Sequence, residues 1–122
     1  MAKLPTLQKN YEFQRVYGRG KYASSKTLVV YVLPNRTGIC RLGMTTSKKV
    51  GNAVIRNRMR RLIRENLRTL YPLLPNNKDI VVVVRKGDLD IGLLSVRKEL
   101  LSILKRLDII DSTVESFHDK NT

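Results

Sequence analysis

The chain has 122 residues and an apolar share of 42%, which fits one domain with one core of modest size. Its formal net charge is +14, from 24 Lys and Arg against 10 Asp and Glu, and a charge this large favours a polyanionic partner. A single cysteine, Cys40, excludes an internal disulfide and a cysteine-based zinc site, and the longest apolar runs, residues 28–33 and 80–84, fall far short of the ~20 residues of a membrane span.

The start, Met1-Ala2-Lys3-Leu4-Pro5, lacks the apolar stretch of a secretory signal. Cytoplasmic residence and no membrane association are therefore expected, with one domain over residues 1–122. Residues 6–17 read as a helix capped by Thr6 and ended by Gly18 and Gly20. Phe13, Val16 and Tyr17 share one face of it. Residues 27–33 are rich in β-branched side chains and read as a buried strand. A turn cluster at residues 34–38 leads to residues 39–46, read as its antiparallel return strand. Residues 47–52 read as a loop carrying Lys48, Lys49 and Gly51.

A long helix is predicted over residues 52–71, stopped by Pro72. Residues 79–85 contain four consecutive valines and read as a strand covered on both faces. Asp90 is placed to cap a last helix running to Leu107, with Leu93, Val96, Leu100, Ile103, Leu104 and Leu107 inward. The end, residues 111–122, reads as a polar, flexible tail that holds the one histidine, His118. The order α-β-β-α-β-α, with a strand–helix–strand crossover that makes 39–46 and 79–85 parallel, predicts a two-layer α/β (α+β) sandwich with a small mixed sheet.

The charge excess lies wholly in the first half. Residues 1–68 hold 16 Lys and Arg against Glu12 and Glu65, whereas residues 69–122 hold 8 against 8 acids. On a helical wheel, Ile55, Met59, Leu62, Ile63, Leu67 and Leu70 of the long helix fall on one arc. Arg56, Arg60, Arg64 and Arg68, spaced by four, form one ridge beside Arg61, and Arg58 projects from the other edge. Like charges at this spacing destabilise a helix by a few tenths of a kcal/mol per pair. Glu65 is the only acid on the helix to relieve them. Phosphates would supply that relief. All six cations are arginine, whose planar fork grips phosphate oxygens in pairs and stacks on bases. Lys48 and Lys49 extend the patch. This much does not separate RNA from DNA.

Phe13, Tyr17 and Tyr31 are aromatic, and Arg41, Gly43 and Thr45 share one face of the second strand. A groove between helix and sheet lined by these rings would suit a single-stranded nucleic acid. The same rings are equally placed to be core, and the residues leave both readings open.

The string from Arg41 to Glu65, RLGMTTSKKVGNAVIRNRMRRLIRE, closely resembles the signature of the protein subunit of bacterial ribonuclease P. Its most specific part is Arg56-Asn57-Arg58 followed by Arg60, Arg61 and Arg64. Phe13-Gln14-Arg15-Val16-Tyr17 followed by Gly20 also looks like that family, and the match covers roughly residues 4–107. The resemblance implies a ribonucleoprotein that hydrolyses one phosphodiester to remove the 5′ leader of precursor tRNA, with a large RNA and magnesium ions as catalyst. It implies that Arg56, Asn57, Arg58, Arg60, Arg61 and Arg64, extended by Lys48, Lys49 and Arg68, face that RNA. Phe13, Tyr17, Tyr31, Arg41 and Thr45 would line the leader groove, with Tyr17 where the family often has Phe. A left-handed crossover around the arginine helix is implied as well.

The residues themselves supply little for catalysis. No histidine or cysteine pair stands in the predicted body, and the nearest acids, Asp88 and Asp90, read as turn and cap. A protein cofactor of a ribozyme is therefore expected, with a ribosomal-type RNA scaffold as the alternative. A stand-alone nuclease lacks its acid–base set.

Overall fold

The structure is a computed structural model and describes residues 4–87, 90–111 and 113. The expectations for His118, Asp88 and the tail beyond Asp111 lie outside the described residues, Thr113 apart. In chain order the elements are α1 (Asn10–Arg19), β1 (Lys21–Ser24), β2 (Leu28–Pro34), β3 (Arg41–Thr46), α2 (Ala53–Leu70), β4 (Lys78–Val84) and α3 (Leu93–Arg106). Single 3-10 turns, Lys48–Val50 and Tyr71–Leu73, flank α2.

The four strands form one mixed sheet in the order β1-β2-β4-β3. β2 pairs antiparallel with both β1 and β4, and β3 runs parallel to β4. The parallel pair is as expected. The hairpin between β2 and β3 is not, because β4 inserts between them. Ile80, Val81, Val82 and Val84 are all buried, and a strand covered on both faces belongs in the middle of a sheet. β3 carries Arg41, Gly43, Thr45 and Thr46 and takes the edge. The turn after β2 is tied to the start of β4 instead: the Asn35 amide donates to the Asn77 carbonyl at 2.8 Å.

β1 was not expected. Its four residues, KYAS, are mostly exposed and too few to show a period. The first helix starts later than Thr6. Residues 5–7 instead lie along the edge of β3, where the Leu7 amide donates to the Leu42 carbonyl (2.8 Å) and the Leu42 amide to Pro5 (3.0 Å). Gly18 lies inside α1, which ends at Gly20. A Cβ on Gly20 would stand 2.6 Å from the Val16 carbonyl and 2.8 Å from that of Val32, so the crossing onto β2 requires glycine there. Gly92, not Asp90, precedes α3, with no side-chain cap, and Leu93 is exposed rather than inward.

One face of the sheet packs Leu28, Val30, Val32, Leu42, Ile80, Val82 and Val84 against α2 and α3. Met59, Leu62, Ile63, Leu67 and Leu70 of α2 and Val96, Leu100, Ile103 and Leu104 of α3 complete this core. These are the helix positions the wheel placed inward. The opposite face carries a smaller cluster, Leu7, Val16 and Val81, flanked by Phe13, Tyr17, Tyr31, Leu33 and Val83. α1 thus adds a short third layer to the sandwich and leaves part of that face open.

Candidate nucleic-acid interface

The basic helix is launched by two local devices. Gly51 has φ 151°, a conformation that side chains disfavour, and a Cβ there would stand 3.0 Å from Ile55. Asn52 then caps α2, its side-chain oxygen accepting from the Ile55 amide at 3.0 Å. With the apolar arc buried, the arginines line the outer side. Asn57, Arg60, Arg61 and Arg64 are exposed, and Arg56, Arg58 and Arg68 are half-buried. Lys48 and Lys49 are exposed on the preceding turn. Among the described residues, only Arg68 of the six helix arginines meets a carboxylate, Glu65 at 2.8 Å. Arg58 instead donates through Nη2 to the Ile91 carbonyl (2.7 Å), which ties α2 to the approach to α3. Arg60 donates through Nε to Thr46 Oγ1 (3.2 Å), which ties it to the edge strand.

The aromatic residues gather on the α1 face. Phe13 lies directly over Gly43: a Cβ on that glycine would stand 2.6 Å from the ring. The hydroxyl groups of Tyr17 and Thr45 are 3.3 Å apart. Tyr17 meets Tyr31 edge-on, with centroids 5.0 Å apart at 70°. All three rings are half-buried, so they are core on one side and open on the other. The rings thus contribute to the core and remain accessible from the α1 side.

A cleft of about 450 Å³ runs along β3 between the N-terminal segment and α2. Leu7 and Phe13 form one wall, Gly43 and Met44 the floor, and Arg64 and Arg68 the other wall. The tertiary structure thus joins the first of the aromatic residues to the arginine row, across a single strand. No spacing in the sequence announced that junction.

Arg41 does not join them as a free cation. Its guanidinium donates to both oxygens of Asp79 (2.9 and 2.8 Å) and to Glu12 (2.8 Å). Asn35 also donates to Asp79 (2.7 Å), and Arg15 lies 3.5 Å from it. Burial pushes the Asp79 carboxyl up, but the hydrogen bonds from Arg41 and Asn35 and the charges of Arg41 and Arg15 outweigh it, holding the group below the usual carboxylate range. The Lys9 and Gln8 amides, donating to Glu12, together with Arg41, hold Glu12 low as well. Arg41 is therefore a clasp between α1, β3 and β4.

Three features went unread in the sequence. Asn66 is buried in α2, donating to the Leu62 and Leu93 carbonyls and accepting from Arg97 Nε at 2.9 Å. Glu99 of α3 takes the Thr27 amide and hydroxyl and the Ser25 hydroxyl. Tyr22 of β1 adds an exposed ring beside Tyr31, with centroids 5.4 Å apart. Apolar periodicity reports neither polar bonds between elements nor an edge-strand ring.

Fold and site together define a basic α+β protein of the nucleic-acid-binding class, with a cationic crossover helix beside a cleft that Phe13 also lines. The family model for ribonuclease P matches residues 1–108. The ribonuclease P protein component of Alkaliphilus oremlandii is 35% identical over 93% of this chain and 100% of its own length. That of Bacillus cereus strain Q1 is 38% identical over 87% of this chain and 93% of its own. The structure of the Staphylococcus aureus RNase P protein superposes with TM-score 0.77 at 35% identity, covering 89% of this chain and 100% of that one. The Thermotoga maritima RNase P protein gives 0.73 at 32% identity, covering 83% and 96%. The chain belongs to the ribonuclease P protein family, the protein components of the ribonucleoprotein endoribonuclease that matures tRNA 5′ ends.

Proposed function

We propose that this protein binds a ribonuclease P RNA along α2 and holds the 5′ leader of precursor tRNA in the groove between α1 and β3. The observation that carries this reading is the shared cleft, with Phe13 on one wall and Arg64 and Arg68 on the other. Rings stack on unpaired bases while guanidinium forks neutralise the adjoining phosphates. Lys48, Lys49, Arg56, Asn57, Arg58, Arg60 and Arg61 continue the contact with the catalytic RNA. Phe13, Tyr17, Tyr31 and Thr45 serve the leader. Arg41 supports that groove by fixing α1 on the sheet.

In this reading the hydrolysis belongs to the RNA, and the protein binds, orients and neutralises. The magnesium ions belong to the RNA as well. Among the described residues no group of three or more His, Cys, Asp or Glu is placed to hold a metal ion. The buried carboxylate nearest the groove, Asp79, is fully engaged by Arg41, Asn35 and Arg15. Among the described residues no helix is long and apolar enough to cross a membrane. Cytoplasmic residence suits Cys40, a buried free thiol whose pKa burial raises to about 11.

The test mixes the protein with a bacterial ribonuclease P RNA and precursor tRNA at low magnesium. Stimulated leader removal is expected. No stimulation and no binding to that RNA overturns the proposal, and cleavage by the protein without RNA reverses the division of labour.

A further inference from the structure

The leader residues named above end at Tyr31, but the aromatic surface does not. Tyr22 lies directly opposite Tyr31 in the β1–β2 register. Its ring centroid is 5.4 Å from that of Tyr31, and the two planes differ by only 34°. Tyr31 is edge-on to Tyr17 on its other side, at 5.0 Å. Three tyrosines from α1, β2 and β1 thus adjoin in a row across the sheet face. Tyr22 is 65% exposed, so the outer end of the row is the most accessible ring of the three. Single exposed aromatics are ordinary, and Tyr11 is one, at 68% with no ring partner among the described residues. Tyr22 differs because it continues an existing platform.

The charge around it suits a polyanion. Lys26, in the connection between β1 and β2, is exposed. Arg85 is exposed at the same end of β1, where its Nη1 donates to the Ser25 carbonyl at 2.8 Å. Arg19, at the end of α1, is exposed too. No acid lies within β1 or its connection to β2, and the carboxylate that meets this connection, Glu99 of α3, is engaged by Ser25 and Thr27. An apolar protein partner would bury these cations at a cost, whereas a phosphodiester chain would be drawn to them.

We propose that Tyr22 is a further stacking site for one unpaired nucleobase. It would carry the single-strand path from the β3 groove over Tyr31 to the β1 edge. Any base offers a π-face, so the site would be tolerant of sequence. The inference rests on the leader-binding reading and extends it to nucleotides farther from the cleavage point.

The experiment uses the reconstituted holoenzyme and precursor tRNAs whose leaders are lengthened one nucleotide at a time. Beyond a threshold length, the wild type should gain affinity on the order of 5- to 100-fold. Tyr22→Ala should lose that gain, while Tyr22→Phe and Tyr11→Ala keep it. A 2-aminopurine walked along the leader should show one position whose quenching disappears in Tyr22→Ala. If Tyr22→Ala gains as the wild type does while Tyr17→Ala loses affinity for short leaders, Tyr22 is no subsite and the groove reading stands. If neither variant changes leader affinity, the groove reading fails and this one falls with it. A loss in Tyr22→Phe equal to that in Tyr22→Ala would assign the effect to the hydroxyl and overturn stacking.

Discussion

The two faces of the sheet are built from the same strands by different rules. Toward α2 and α3, alternate strand positions are Leu, Ile and Val, sealed by two amphipathic helices. Toward α1, aliphatic positions such as Leu33, Val81 and Val83 alternate with Tyr31, Asp79, Arg41, Gly43 and Thr45, covered only in part by one short helix. The first face can be closed because nothing on it needs water. The second holds a buried ion cluster at one end and half-open rings at the other, and such a surface can meet a polar ligand without rebuilding the core. The arginines divide in the same way. Arg41 is engaged inside the protein by two carboxylates, and Arg60, Arg61 and Arg64 are exposed with no carboxylate among the described residues.

That division is tested most sharply by salt. If the cations of α2 and its preceding turn neutralise six or more phosphates, RNA affinity should fall roughly a thousandfold or more between 50 and 200 mM salt. A shallow dependence, read by filter binding, would show that these arginines do not touch phosphate. Next in size is the clasp. Asp79→Ala leaves the half-buried Arg41 without its main partner and Asn35 without its acceptor there, and should cost about 3–5 kcal/mol in urea unfolding. Arg64→Ala, on the exposed wall, should change stability by no more than ~0.5 kcal/mol. Equal losses in the two variants would erase the distinction.

The same cluster sets a pH dependence. Asp79 and Glu12 are held below the ordinary carboxylate range in the folded state, so their contribution is complete above the unfolded value of about 4. It is lost as pH falls through the lower folded values. Urea midpoints should therefore drop on acidification below about pH 4, and less so in Asp79→Asn.

On the open face, Gly43→Ala drives a methyl into the Phe13 ring and should cost about 1–3 kcal/mol. Tyr17→Ala should weaken leader binding by ~1–3 kcal/mol per stacked base while sparing the catalytic RNA. Loss of affinity for both RNAs would point instead to disturbed packing of α1. The smallest effect belongs to the surface pair: Glu65→Gln should alter stability by roughly 0–1 kcal/mol. It should also slightly raise RNA affinity by releasing Arg68 from its one carboxylate.

The amino-acid order by itself determined where α2 lies, which side of it is buried and how its arginines are displayed, because a 3.6-residue period converts spacing directly into a face. It determined the doubly covered character of β4 for the same local reason: a run of aliphatic residues has no wet side. The functional reading came from family resemblance carried by the string from Arg41 to Glu65. The sheet order was decided elsewhere. Pairing joins residues far apart in sequence, and the turn cluster after β2 predicted a hairpin that β4 displaced. Only tertiary contact could reveal that Arg41 is neutralised by Glu12 and Asp79, since those acids lie 29 and 38 residues away. The junction of Phe13 with Arg64 and the continuation of the aromatic row to Tyr22 were decided in the same way. A groove is a relation between elements, and local periodicity describes only the elements.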